Sequence, residues 1–291
     1  MHFKKIAVSM ILLFVLAPMV LAEGGVDSPS SYELLRVIEV EGRQGIATDG
    51  ETYFVSSSTA LYRYSKTGEL LSKNESALIG LPQEANHIGD IDVYNDEIYA
   101  GIEQFMDGQG QNIQIAIYDA NTLEYRRSMP WEPNSGQVEV SGVAIDPTGE
   151  NIWLTDWVNG RYLYRYDLKT GEYRGKLHLR ASPQWQQGVA YRDGHLYITA
   201  DDGDAEDEEI DNLWRVPAET VGTAAYITHE YAFSEFRRVG EIEGVSFDNG
   251  AGEMIVLANR GKRIVLGMPK GLYPGYEREI HELYVYKIKG R

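Results

Sequence analysis

Short runs of apolar and aromatic residues recur along the chain, and each run ends in Gly, Asp, Asn or Ser. The clearest example spans residues 143–173, where the runs Val143–Asp146, Ile152–Leu154 and Tyr162–Leu168 are separated by turn sequences. Short strands joined by tight turns are typical of antiparallel β-meanders. The pattern therefore predicts an all-β chain built from one repeated unit.

The unit occurs five times. The small residues that open the five units are Gly45, Asp90, Gly142, Gly188 and Gly244. The steps between them are 45, 52, 46 and 56 residues long. Periods of about 40 to 50 residues with four strands per period are characteristic of β-propeller blades. In the fourth unit, the last strand is expected near Ala225–Tyr231.

The fifth unit supplies only three strand-like runs before the chain ends. The strand-like segment Tyr32–Glu41 has no partner nearby in sequence, so we expect it to provide the missing outer strand and close the ring. The fold prediction is a single five-bladed β-propeller of four-stranded blades over residues 32–291. A six-bladed ring is the alternative if residues 260–278 contain a further blade, although Pro269 and Pro274 favour a loop there.

The N-terminus has the pattern of a secretory signal peptide. Lys4 and Lys5 precede the apolar run Ile6–Val20, and small residues precede a cleavage point after Ala22. We predict a signal peptide at residues 1–22, a flexible leader at 23–31, and a secreted or periplasmic protein. The alternative is that the segment is retained as a membrane anchor. Otherwise no stable membrane span is expected after cleavage. With no cysteine, the domain forms no disulfide.

The chain is acidic. It has 44 acidic and 27 basic side chains, and its formal net charge is −17. This charge repels phosphate backbones, so nucleic acid is disfavoured as a partner. A small molecule or an extracellular protein is the expected partner of a monomer.

The repeats also carry a family resemblance. The run Ile152–Leu168 resembles the YWTD repeat of low-density lipoprotein receptor propellers, and Gly142–Gly149 is similar to the innermost strand and turn of NHL-type and gluconolactonase-type propellers. The resemblance implies the blade architecture over residues 32–291. Because these superfamilies contain enzymes, receptors and scaffolds, it implies no single activity.

In a propeller the loops that enter the innermost strands surround the mouth of a central channel. The predicted ligand-binding residues at this mouth are Gln44, Asp90, Ser141, Gln187 and Glu243, with His87 as the candidate catalytic residue. The alternative is that these side chains only hydrogen-bond one another and ordered water. Tyr53, Tyr99, Trp153 and Tyr197 recur on the strands and are expected to pack between blades.

A calcium site is implied by a second resemblance. Glu243-Gly244-Val245 resembles the Glu-Gly-Pro segment whose glutamate binds metal in the senescence marker protein and gluconolactonase family. If calcium binds, Glu243 and Asp90 would be ligands, and the amide oxygens of Gln44 and Gln187 would complete the shell. His87 would then serve as general base, since imidazole titrates near neutral pH.

The acidic run Asp201–Asp211 gives a second metal candidate. Asp202 and Asp204 alternate as in calcium loops, but the spacing of an EF-hand is absent. The alternatives are a surface calcium site and a solvated loop.

Two functions remain open. The first is an exported binding or interaction propeller that uses the channel mouth or rim loops. The alternative is a divalent-metal (calcium) dependent hydrolase similar to lactonases and esterases. The sequence has no Gly-x-Ser-x-Gly elbow, zincin helix or phosphate-binding loop, which disfavours those enzyme classes.

Overall fold

The computed structural model describes residues 31–205, 207, 209–218, 224–236, 239–265 and 268–290. The predicted signal peptide and nearly all of the predicted leader lie outside these residues and stay predictions. Among the described residues, no helix has the length and apolar character needed to cross a bilayer.

Strand β1 (Tyr32–Val40) precedes the ring. The first blade contains β2 (Gly45–Thr48), β3 (Thr52–Ser56), β4 (Leu61–Ser65) and β5 (Leu70–Asn74). The second contains β6 (His87–Tyr94), β7 (Glu97–Met106), β8 (Gln109–Asp119) and β9 (Tyr125–Pro130). The third contains β10 (Val143–Asp146), β11 (Asn151–Leu154), β12 (Tyr162–Asp167) and β13 (Tyr173–Arg180). A short 3-10 turn, Pro133–Ser135, precedes it.

The fourth blade contains β14 (Gln186–Arg192), β15 (His195–Ala200), β16 (Asn212–Pro217) and, after β17 (Ala224–Tyr226), β18 (Thr228–Ala232). The fifth contains β19 (Ile242–Asp248), β20 (Glu253–Arg260) and, after the hairpin β21 (Lys262–Val265) and β22 (Met268–Leu272), β23 (Ile280–Ile288). Five antiparallel blades of four strands, with β1 in the last, confirm the predicted five-bladed propeller.

The N-terminal strand closes the ring. β1 pairs antiparallel with β23, so that Tyr32 lies opposite Ile288 and Val40 opposite His281. The chain therefore joins its two ends in one sheet, which leaves no unpaired seam between first and last blade. The segment considered for a sixth blade forms only the two-stranded hairpin β21–β22 in the part that the structure describes.

The expected last strand of the fourth unit is split in two. β17 pairs in parallel with β13 at the outer edge of the third blade, and β18 completes the fourth blade. The split has a physical basis, because the short parallel strand covers an edge that would otherwise expose unpaired backbone groups. The predicted fourth strand is therefore present as β18, while Ala225 and Tyr226 belong to β17.

Buried aromatic side chains fill the spaces between blades. Tyr99 packs with the third blade, Trp153 with the fourth and Tyr197 with the fifth. The residue of the first blade at the equivalent register is Phe54, which packs with the second blade, whereas Tyr53 packs with the fifth. The expected packing role is confirmed, with Phe54 in place of Tyr53 at the shared position.

We predict that a chain beginning at Glu41 is much less stable than one beginning at Ser31. Without β1, the long strand β23 becomes an exposed edge and the two ends of the ring are no longer joined. The melting temperature followed by circular dichroism should fall by about 10 °C or more, or the chain should aggregate. Equal melting temperatures would contradict the closing role of β1.

Candidate functional site

The five innermost strands approach very closely at the propeller axis. A Cβ atom added to Gly188 would lie 2.6 Å from Cα of Gly244, and one added to Gly244 would lie 2.8 Å from Cα of Gly45. Real side chains do not fit at these distances, so glycine is required where the strands meet. Four of the five opening positions are glycine for this reason.

Asp90 is the exception, and its side chain occupies the space beside Gly45, Gly188 and Gly244. Its Oδ1 accepts a hydrogen bond from the amide of Ile46 at 3.0 Å, and its Oδ2 accepts one from the amide of Val189 at 3.2 Å. Its own amide donates to the carbonyl of Ser141 at 2.7 Å. Asp90 thus links four blades across the axis while only 1% exposed.

Burial raises the pKa of Asp90 well above its usual range, and hydrogen bonds from the amides of Ile46, Ile91 and Val189 oppose that rise. Both carboxylate oxygens are used in bonds to the backbone. Asp90 is therefore placed as a structural tie below the mouth. It does not border the mouth cavity.

A cavity of about 180 Å³ lies at the mouth of the channel. Its lining comprises Arg43, Gln44, Ser58, His87, Phe105, Glu139, Ser141, Trp157, Gln187, Glu241, Glu243, Ile264 and Pro269. Of the six predicted mouth residues, five line this cavity, and Asp90 is the one that does not. The last two residues of the lining come from the hairpin β21–β22, which forms one side of the rim.

Two sets of lining residues share a position relative to the opening residue of their blade. The inner layer comprises Gln44, Ser141, Gln187 and Glu243, each one residue before an opening glycine. The outer layer comprises His87, Glu139 and Glu241, each three residues before an opening position. Residues two apart in extended backbone point to the same side. This alternation is the signal that could have located Glu139 and Glu241 from the sequence.

His87 lies between two blades. Its Nε2 is 3.1 Å from Oε1 of Gln44, and its Nδ1 is 3.3 Å from Oε1 of Glu103. Glu103 lies directly opposite His87 on β7 and is fully buried. Its second oxygen, Oε2, accepts a hydrogen bond from the amide of Val140 at 3.0 Å. Glu103 is a site residue that the sequence pattern did not reveal.

Glu139 is a second such residue. It is buried and accepts a hydrogen bond from the amide of Trp157. Burial, followed by repulsion from Glu103 and Asp156, raises the pKa of Glu139 well above its usual range. Burial also raises the pKa of Asp156 to about 6, although the amides of Val138 and Asn159 stabilise its charged form. Such displaced carboxyl pKa values are typical of functional sites.

Glu243 lies on the opposite side of the mouth among structural partners. Its Oε1 accepts a hydrogen bond from Nδ2 of Asn259 at 2.7 Å and lies 3.8 Å from the Arg43 guanidinium. Arg43 also bonds Glu241 at 3.0 Å and Glu279 at 3.2 Å. Burial and repulsion from Glu241 raise the pKa of Glu243.

This geometry does not fit the calcium set implied by the resemblance. A cation beside Glu243 would face the guanidinium of Arg43, and both oxygens of Asp90 already bind backbone amides. These two carboxylates are therefore unsuited to hold a calcium ion together.

The surface calcium candidate has a similar difficulty. Asp202 accepts a hydrogen bond from Asn212 through Oδ1 and one from Trp214 through Oδ2, so both of its oxygens are already used. The exposed Asp204 lies in a turn in which its carbonyl accepts a hydrogen bond from the amide of Asp207. The arrangement favours a structured loop over a calcium loop at these residues.

A second cavity adjoins the mouth and is strongly acidic. Its polar lining includes Asp201, Asp204, Glu209, Asp211 and Glu241. Trp157 and Trp185 contact each other with ring centroids 4.6 Å apart, and Trp157 borders both cavities. Burial, followed by repulsion from Asp211, raises the pKa of Asp201.

Comparison with known proteins supports the fold and goes no further. No protein-family model matches the sequence, and no curated protein matches it. Among solved structures, the chain is similar to glutaminyl cyclase from Myxococcus xanthus, with a TM-score of 0.56 and 11% identity over 87% of this chain and 96% of that one. It is also similar to a PQQ-bound aldose sugar dehydrogenase from Streptomyces coelicolor, with a TM-score of 0.48 and 16% identity over 87% and 98% of the two chains. The likeness to the glutaminyl cyclase shows a shared fold alone.

We predict that Asp90→Ala destabilises the propeller. The amides of Ile46 and Val189 lose their buried acceptor, so the free energy of unfolding should fall by about 2–4 kcal/mol. Glu69→Ala, which removes an exposed carboxylate, is the control and should change it by less than about 0.5 kcal/mol. The measurement is urea unfolding followed by tryptophan fluorescence. Equal effects of the two substitutions would show that Asp90 is not a structural tie.

Proposed function

We propose that this protein is an exported propeller that binds a small, positively charged molecule at the mouth of its central channel. The observation that carries the proposal is the convergence of polar side chains from all five blades on one cavity. Gln44, His87, Ser141, Gln187 and Glu243 each come from a different blade. Concave sites with a few convergent polar groups are the usual location of small-molecule binding.

The charge of the two adjoining cavities supports a cationic ligand. Carboxylates of Glu139, Glu241 and Glu243 border the mouth, and four further acidic residues border the second cavity. Arg43 is the one arginine or lysine among the described residues that line either cavity, and it is already bonded to Glu241 and Glu279. An ammonium group would therefore meet an excess of negative charge.

Aromatic side chains favour the same class of ligand. Both Trp157, which borders the two cavities, and Trp185, which borders the acidic one, are partly exposed. The face of an indole ring attracts a cation at short range, which adds to the attraction of the carboxylates. The tryptophan pair would hold the ligand between the inner mouth and the acidic pocket.

We expect small amines and diamines to raise the melting temperature, and carboxylates of similar size to leave it unchanged. At saturating amine the increase should be about 3 °C or more, since a ligand that binds only the folded state stabilises it. Trp157→Ala should abolish the increase, and Glu69→Gln should retain it. Differential scanning fluorimetry measures the shift. An equal response to amines and carboxylates, or none to either, would contradict the proposal.

A hydrolytic function is the second candidate, and the arrangement around His87 favours it. Glu139 has a pKa raised by burial and lies at the cavity beside His87, so an acid and a base are available in one place. A positioned pair of this kind can protonate a leaving group and activate water. The glutaminyl cyclase of similar fold is named as an enzyme, but a shared fold does not by itself imply a shared activity.

The hydrolytic candidate predicts turnover of small lactones or aryl esters by the wild-type protein. Glu139→Gln should lower kcat/KM by about 100-fold or more, because removal of a general acid or base has effects of this size. Glu69→Gln should retain the activity. Release of p-nitrophenol and pH-stat titration measure the two substrate classes. Failure of the wild type to hydrolyse either class would remove this candidate.

A further inference from the structure

Three side chains at the second-blade side of the mouth lie close enough to share one ion. They are His87 on β6, Glu103 on β7 and Glu139 in the segment before β10. One ligand atom from each lies within 4.8 Å of the others. Atoms bound to one zinc ion at about 2.0–2.2 Å are up to about 4 Å apart, so small side-chain movements would complete the set.

The two glutamates are held in place through their backbone contacts. The amide of Val140 donates to Oε2 of Glu103, and the amide of Trp157 donates to Oε2 of Glu139. Among the described residues, the one ion pair formed by either carboxylate is that of Glu103 with His87. Two buried carboxylates without a lysine or arginine partner require another source of positive charge, either protons or a bound cation.

His87 has the hydrogen-bonding arrangement of a metal-binding histidine. Its Nε2 lies 3.1 Å from Oε1 of Gln44, an oxygen that can accept a hydrogen bond from the ring. Its Nδ1 lies 3.3 Å from Oε1 of Glu103, so either a proton or a metal ion could lie between these two atoms. Histidines that bind metals commonly donate their other N–H to a carbonyl in this way.

We propose that His87, Glu103 and Glu139 form a three-ligand site for a divalent transition-metal ion of the zinc class. One imidazole nitrogen and two carboxylate oxygens suit zinc better than calcium, which prefers oxygen alone. Three protein ligands beside a cavity would leave a coordination position for water or a ligand, as in catalytic rather than structural zinc sites. The site does not depend on the proposed cationic ligand, and a Lewis acid there would replace the acid–base pair of His87 and Glu139 in the hydrolytic candidate.

The competing account is that the three side chains share protons and bind no metal. Isothermal titration of untagged, EDTA-treated protein with ZnCl2 at pH 7 distinguishes the two. We expect one zinc ion per chain, bound at least about tenfold more tightly than calcium. His87→Asn and Glu139→Gln should each weaken zinc binding by at least about tenfold.

His195→Asn is the matched control. His195 lies at the start of β15, its Nδ1 is 2.9 Å from the carbonyl oxygen of Asp193, and it borders neither the mouth cavity nor the acidic one. The substitution should leave zinc affinity unchanged. Metal-free melting temperatures of all variants show whether each is folded.

Absence of a one-to-one zinc complex, or zinc binding unchanged in folded His87→Asn, would overturn the proposal. Tighter binding of calcium than of zinc would overturn the metal class. Amine binding measured in EDTA fails or succeeds separately, so the proposed cationic ligand and the metal site are tested independently.

Discussion

The whole structure depends on how closely the five innermost strands meet at the axis. A Cβ at Gly244 would lie 2.2 Å from Oδ1 of Asp90, which leaves no room for a second side chain. The Asp90 carboxylate fills the space beside Gly45, Gly188 and Gly244 and accepts amide hydrogen bonds from the first and fourth blades. Without this acceptor the buried amides of Ile46 and Val189 would lose a hydrogen-bond partner. An unpaired buried amide lowers the free energy of unfolding, so Asp90 stabilises the ring through these hydrogen bonds.

The contacts of Asp90 at the axis limit where a ligand could be accommodated. Because Asp90 and the glycines occupy the narrow part of the channel, the space for a ligand lies above them, among the inner and outer layers of the mouth. The two sides of that mouth differ. Glu243 lies beside the Arg43 guanidinium and accepts a hydrogen bond from Asn259, whereas among the described residues the one ion pair of Glu103 or Glu139 is that of Glu103 with His87. The side with unmatched charge is the better candidate for a bound cation.

The five-bladed ring and its closure could be predicted by counting the strand-like runs in each unit. The fifth unit lacks one strand, and the segment before the first unit is a strand without a partner. Pairing the two completes the last blade. The opening positions were also visible as four glycines and one aspartate. The role of Asp90 could not be predicted from the sequence. It depends on contacts across the axis with Ile46 and Val189, which are separated from Asp90 by 44 and 99 positions in the sequence. The site residues Glu103 and Glu139 escaped prediction for different reasons. Glu139 lies two residues before Ser141, so the alternation of extended backbone would have placed both side chains at the mouth. Glu103, in contrast, is a neighbour of His87 only through the register of β6 and β7. A bulge between Ile88 and Ile91 shifts that register. The family resemblance implied that Glu243 is a metal ligand. It carried no information about Arg43, which lies beside Glu243 only in the folded ring.

The channel thus consists of a narrow axis held by Asp90 and an open mouth lined by polar side chains. Anomalous diffraction at the zinc edge, from crystals soaked in zinc, tests this division most directly. We expect one peak among His87, Glu103 and Glu139, with Asp90 bonded only to backbone amides. A peak at Asp90 or Glu243, or none at the mouth, would contradict it.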